Sequence, residues 1–198
     1  MANVDPHDIL FSIPTLSNEL APLLHVTEQP TEADFFLHED DWEQMEFFSA
    51  DRADEVQAAL SEYHLFEAAH RTEGGWRKAY LRTLARSTVL NLSVSELASA
   101  LGCSIGPAPL LHCANTLSGQ VQDGFSMALG GNVSLYGLSD GQGIPVLGVS
   151  MGPDADNARL IAAFVKLHAS HGLILVDWRS QMLLRAANAA GQLDIWRP

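Results

Sequence analysis

The sequence predicts an α+β fold, a mainly antiparallel sheet packed with about four helices. Three observations lead there. Several stretches repeat their apolar residues at helical spacing. Beyond Ser104 the texture changes to short apolar runs broken by Gly-rich turns, the pattern of β-hairpins. Helical and extended stretches are mixed rather than strictly alternating, which argues against a parallel βαβ sheet. With 198 residues, 47% of them apolar, one domain over 1–198 is expected. A chain of this size buries about 70% of its unfolded surface and needs no staples.

Residues 1–31 hold Pro6, Pro14, Pro22 and Pro30 and read as a segment wrapped over the domain, with one short helix at Leu16–Leu24. Phe35–His38 reads as a strand and His38–Asp41 as a turn. Trp42–Phe48 fits a second strand or a short helix, and periodicity does not separate the two. Asp51–His70 is a helix: Val56, Leu60, Tyr63, Phe66 and Ala69 recur at three and four, acids sit at its start, and Gly74-Gly75 follows. A further helix is expected from Trp76 to about Thr88, with Trp76, Tyr80 and Leu84 on one face and Lys78, Arg82 and Arg86 on another. Ser93-Val-Ser-Glu96 is a capping box that opens a helix closed by Gly102.

Pro107 and Pro109 bracket a loop. Val133–Leu138 and Pro145–Ser150 form a hairpin around a Gly-rich turn. Asp154–His171 is a helix with Gly172 past its end, and Leu173–Trp178 and Gln192–Trp196 are two more strands.

Charge divides the chain. Residues 1–70 carry sixteen acids against Arg52 alone, a net of −15, whereas residues 71–198 carry ten basic and eight acidic residues, a net of +2. The total of −13 disfavours nucleic acid and anionic lipid as partners and favours a basic protein. MANVDPHDIL lacks the basic and apolar regions of a secretory leader, and no apolar run approaches the length of a membrane span, so a cytoplasmic location is expected. Cys103 and Cys113 read as two thiols rather than a disulfide.

Candidate chemistry is sparse. Gly148-Val-Ser-Met-Gly152 matches the G-x-S-x-G of a nucleophile elbow between a strand and a helix. It would need Ser150 with His168 or His171 and Asp177, an unusual order. Gly137-Leu-Ser-Asp-Gly141 matches the same pattern eleven residues earlier, the behaviour of chance hits in Gly-rich turns. Leu92–Ser104 resembles the first helix and turn of a DNA-binding helix-turn-helix, but Pro109 falls within the second helix and no Arg or Lys lies between Ser87 and Ala158. The eight histidines follow no compact ligand spacing, so neither metal nor cofactor is expected. His168 and His171 read instead as complements to a helix C-terminus.

The acidic stretch around Trp42 is the better candidate. Acids alternate there with aromatics, and Glu39, Asp40, Asp41, Trp42, Glu43 and Glu46 are the expected partner-binding set. Aromatic anchors supply burial while acids set the association rate. The reading is a binding protein that masks or inhibits a basic protein partner, of immunity, inhibitor or chaperone type, and compatible with a homodimer. A serine hydrolase and a structural or regulatory subunit are the alternatives. The acidic turn is expected to be exposed unless Lys78, Arg82 and Arg86 cover it, because an unpaired buried carboxylate costs several kcal/mol.

Overall fold

Apolar residues on consecutive positions belong to strands buried on both faces, and such strands form the middle of this structure. The computed structural model describes residues 10–26, 29–113, 116–188 and 192–198. The first nine residues, read above as lacking a leader, lie outside the described residues.

In chain order the elements begin with β1 (Thr15–Ser17), β2 (Leu23–Leu24) and β3 (Phe36–His38). A 3₁₀ turn (Glu39–Asp41) leads to β4 (Met45–Ser49), and a second one (Ala50–Arg52) leads into α1 (Ala53–His70). Then come β5 (Arg71–Thr72), β6 (Gly75–Trp76), β7 (Tyr80–Arg82) and α2 (Val94–Leu101). A run of strands follows: β8 (Ile105–Gly106), β9 (Leu110–Cys113), β10 (Thr116–Val121), β11 (Gly124–Gly130), β12 (Val133–Leu138) and β13 (Val146–Met151). The last elements are α3 (Asn157–His171), β14 (Leu173–Asp177), β15 (Met182–Ala187) and β16 (Leu193–Trp196).

Eight strands form one antiparallel sheet in the order β16-β15-β14-β4-β13-β12-β11-β8. Its two faces are filled by alternate residues of the same strands. Phe47, Leu147, Leu173 and Leu175 point to the face covered by α3, through Phe164 and Leu167, and by α2, through Leu97. Phe48, Ile174, Val176 and Leu183 point to the opposite face, where α1 contributes Val56, Leu60 and Tyr63. On that second face, beyond α1, a four-stranded sheet in the order β2-β10-β9-β3 packs its Leu37, Leu111 and Val121 on Tyr136, Leu138 and Val146.

The α+β class and the large antiparallel sheet follow the sequence reading. The described residues contain three α-helices rather than about four. The Ser93 capping box forms as expected, and Gly102 and Gly172 end α2 and α3 in the left-handed region at φ 73° and 63°. β12 and β13 pair as the expected hairpin.

Two expected helices are extended chain instead. Residues 76–88 hold β6, β7 and an irregular stretch. The reason is arithmetic: a spacing of four is also a multiple of two. From Tyr80 to Ser87 the even positions turn inward and the odd ones outward without exception, which is strand behaviour. Leu16–Leu24 likewise divides between β1, paired in parallel with β7, and β2 at a sheet edge. Trp42–Phe48 resolves in favour of a strand, with Phe47 and Phe48 buried on opposite faces.

Candidate functional site

The acidic turn is built around one tyrosine. Tyr136 stands on β12 within an apolar strand, directly opposite Gly148 of β13, which in turn is opposite Glu46 of β4. A Cβ at Gly148 would collide with the Tyr136 ring. The glycine of the apparent nucleophile motif therefore leaves the floor over which that ring lies. The ring stacks on Trp42 at 5.1 Å between centroids. Its hydroxyl donates to the Asp41 carbonyl at 3.1 Å and accepts from the Glu43 N–H at 2.8 Å. Glu43 is thereby held at φ 55°, a left-handed conformation uncommon outside glycine and asparagine. Burial pushes the Tyr136 hydroxyl well above its ordinary pKa, so it remains a donor.

This clamp divides the acids into two groups. Glu43, 3% exposed, and Glu46 turn inward to meet Arg82, 2% exposed, and Arg86. Arg86 pairs with the Glu43 carboxylate at 2.8 Å and donates to the Glu19 carbonyl at 2.9 Å. Its backbone N–H donates to a Glu19 carboxylate oxygen, while its Nε lies 3.5 Å from the other oxygen, an ion pair without a hydrogen bond. Arg82 donates to the Glu43 carbonyl at 2.7 Å and to Thr15 Oγ at 3.2 Å, and lies over the Trp178 ring at 4.8 Å. Its nearest approach to the Glu46 carboxylate is 3.9 Å, too long for a hydrogen bond. Glu46 accepts instead from Trp178 Nε1 at 2.8 Å.

Burial, then the neighbouring Glu43 charge, pushes the Glu46 carboxyl up to about 8, against the opposing pull of Arg82, Trp178 and Arg86. Burial also lowers Arg82, with Glu46 and Glu43 opposing. A guanidinium does not give up its proton in proteins, so Glu46 is the member of this pair that loses its charge.

The other acids face outward. Glu39 is exposed and accepts from Ser118 Oγ at 3.2 Å. Asp40 is capped locally, its backbone N–H donating to His38 Nδ1, and Asp41 pairs with Arg179 at 2.8 Å. Asp40 and Asp41 line a groove of about 560 Å³ together with Tyr63, Glu67, Trp76 and Arg179. From there α1 carries a solvent face on which Asp54, Ala58, Glu62 and Leu65 are exposed, Leu65 to 71%.

The expected partner-binding set is thus divided by the turn. Glu39, Asp40 and Asp41 border open surface, whereas Trp42, Glu43 and Glu46 are enclosed and hold the turn from behind. Of the basic stripe, Arg82 and Arg86 cover the inward acids, and Lys78 is exposed. Tyr136, Thr15, Trp178 and Glu19 were missed from sequence. The one available signal was a tyrosine in an apolar strand facing a glycine-bearing strand.

Ser150 lies within β13, paired with Ser134, and not on a sharp turn. It shares a pocket of about 310 Å³ with Asp177 and Arg179, but neither histidine lines it. His168 is held by the Leu173 carbonyl at the end of α3, and His171 borders a different groove beside Arg52 and Ser87. Asp177 accepts from the Ser180 N–H. Ser150 and Asp177 therefore share a pocket that neither His168 nor His171 lines. Among the described residues no group of three or more His, Cys, Asp or Glu is gathered to hold a metal, and no helix is long and apolar enough to cross a membrane. Cys103 and Cys113 are free thiols. No family model, curated protein or solved structure matches this chain.

Proposed function

We propose that the protein is an acidic binding protein that masks or inhibits a basic protein partner. The observation that carries this reading is that Glu39, Asp51, Asp54 and Glu62 have no arginine or lysine partner among the described residues, whereas Asp41 beside them pairs with Arg179. Arg82 and Arg86 are committed to Glu19, Glu43 and Glu46. Asp51 and Asp54 face solvent with no ion pair among the described residues, Glu62 accepts only from the Tyr80 hydroxyl, and Leu65 stands exposed on the same helix. Acids around an apolar side chain suit an interface in which charge steers and a central apolar group anchors. The contact set proposed is Glu39, Asp40 and Asp41 with Asp51, Asp54, Glu62 and Leu65. Trp42, Glu43 and Glu46 support it from within.

The test is capture of a basic partner at low salt, followed by kinetics at ionic strengths of about 0.01 and 0.15 M, where the Debye length falls from about 30 to about 8 Å. Reversal of Asp51, Asp54 and Glu62 to lysine should slow association, and Leu65→Ala should speed dissociation. An association rate unchanged by salt would refute the steering. A structural or regulatory subunit is the second reading, favoured by the internal pairing of Glu19, Glu43 and Glu46. It predicts that no basic protein is retained at any salt concentration.

A further inference from the structure

The ionic cluster ties together three pieces of chain that are far apart in sequence. Gln44 Nε2 donates to the Thr15 carbonyl at 2.9 Å, and the Thr15 hydroxyl donates to the Tyr80 carbonyl at 3.0 Å. Arg82 reaches both Thr15 and Glu43, while Arg86 reaches both Glu19 and Glu43. Without the cluster, the Ile13–Glu19 segment would rest on the short parallel pairing of β1 with β7 and on edge contacts. The extended 83–88 stretch belongs to no strand.

Charge counting gives this junction a single sensitive member. Glu19 and Glu43 balance Arg82 and Arg86. Glu46 is then a third carboxylate for two guanidiniums, at a site where its side chain is 12% exposed. Every neighbouring element contributes to what it meets. The turn presents Glu43, β7 presents Arg82, the extended stretch presents Arg86, and the end of β14 presents Trp178 and, more remotely, Asp177. Tyr136 comes from β12, Tyr63 from α1 and Arg52 from its lead-in, while β13 offers only Gly148 at the paired position. Beside Glu43, Glu46, Arg82 and Arg86 lies a chamber of about 20 Å³. That is room for one water, and so for a proton to arrive and leave.

We propose that Glu46 operates this junction as a proton-controlled clasp, holding β1 and the 80–88 segment against the sheet when protonated and weakening that hold when ionised. In the closed clasp Glu46 keeps its proton up to about pH 8. In the opened clasp it returns to solvent and to its ordinary range near 4.5. Between those limits the open fraction rises about tenfold for each pH unit, because opening releases one proton. Above about pH 8 both states are ionised and the opening constant no longer changes. The clasp acts on the N-terminal segment and does not depend on the binding function proposed above.

The experiment is amide hydrogen exchange on the full chain, corrected for the intrinsic pH dependence of exchange, alongside the indole N–H resonance of Trp178 as a reporter of Glu46. The opening constants of β1 and β7 amides should rise about tenfold from pH 6 to 7 and level off near 8. α3 amides such as Phe164 and Leu167, exposed only by wider unfolding, should open less readily than β1 and β7 amides at every pH. The Trp178 resonance should titrate near pH 8 and be flat in Glu46→Gln, in which clasp opening should be independent of pH. Should Glu46→Gln not fold, the wild-type profile decides alone. A Trp178 resonance that does not move from about pH 6 to 10, strand amides whose corrected opening is flat with pH, or β1 and α3 amides that open together as one unit would each overturn the proposal.

Discussion

Removal of a single oxygen should weaken the whole acidic turn. In Tyr136→Phe the ring still fills the space over Gly148 and still stacks on Trp42, so little packing is lost. Two hydrogen bonds disappear, one from the Glu43 N–H and one to the Asp41 carbonyl. The Glu43 N–H is buried, and an orphaned buried donor costs about 1–3 kcal/mol. The Asp41 carbonyl is less enclosed and adds less, which puts the sum at about 2–3 kcal/mol. Relaxation of Glu43 out of its left-handed conformation relieves about 1 kcal/mol and limits the net loss to about 1–2 kcal/mol. For a chain of this size each kcal/mol moves the Tm by about 2–4 °C, so a fall of about 2–8 °C is expected in scanning calorimetry, with a matching shift of the urea midpoint. Gly148→Ala should be destabilising through overlap with the same ring. The double variant should cost less than the two singles together, because a ring released from the turn is free to yield. If Tyr136→Phe falls within about 0.5 kcal/mol of the parent, as a surface substitution would, the clamp does not hold the turn.

Stability should decline from about pH 5 to pH 8 by up to about 1.4 kcal/mol per unit. The sign follows from Glu46: its pKa is raised on folding, the native state therefore holds the extra proton, and stability is lost as pH rises from the ordinary carboxylate value towards about 8. Urea titrations across that range should show the slope, and Glu46→Gln should remove it. Trp42→Ala should cost about 3–5 kcal/mol, whereas Trp42→Phe should be far milder, because the indole N–H is buried without a partner among the described residues and the stack on Tyr136 survives; equal losses in thermal melts would contradict this. Cys113 is exposed, yet a hydrogen bond with the Glu39 carboxylate pushes its thiol above the ordinary range, so iodoacetamide at neutral pH should label it slowly and Glu39→Gln should accelerate the reaction.

The parts of the fold that were legible in the sequence are those with a local cause. Ser93 with Glu96, and Gly102 and Gly172, act within a turn of their own helices. The two faces of β14 follow from four apolar residues in succession. What escaped depended on tertiary context. β15, Met-Leu-Leu-Arg-Ala-Ala, is made of good helix formers and becomes a strand only because β14 and β16 flank it. β10 and β11 carry glycines and small residues that blur alternation. The 80–88 stretch shows a subtler limit. Its even-numbered residues satisfy helix and strand spacing alike, and the exposed Leu81 and Ala85 were what distinguished them.

The acidic turn shows why charge density could not separate the acids that face outward from those that turn inward. Glu39, Asp41, Glu43 and Glu46 lie within eight positions, and composition treats them alike. Their fates separate because Tyr136, almost a hundred residues away, fixes the backbone on either side of Trp42. Reversal of the chain at Glu43 sends one carboxylate towards Arg86 while Asp41 is left beside Arg179. The same step buries Trp42, the aromatic that sequence reasoning enlisted as an anchor. The outward charge consequently passes to α1, where helical geometry sets Asp54, Glu62 and Leu65 along one line. An acidic surface of this kind is made by subtraction. The two arginines engage three acids, Glu43 and Glu46 turned inward and Glu19 partly exposed, and the acids they leave behind make up the outward charge.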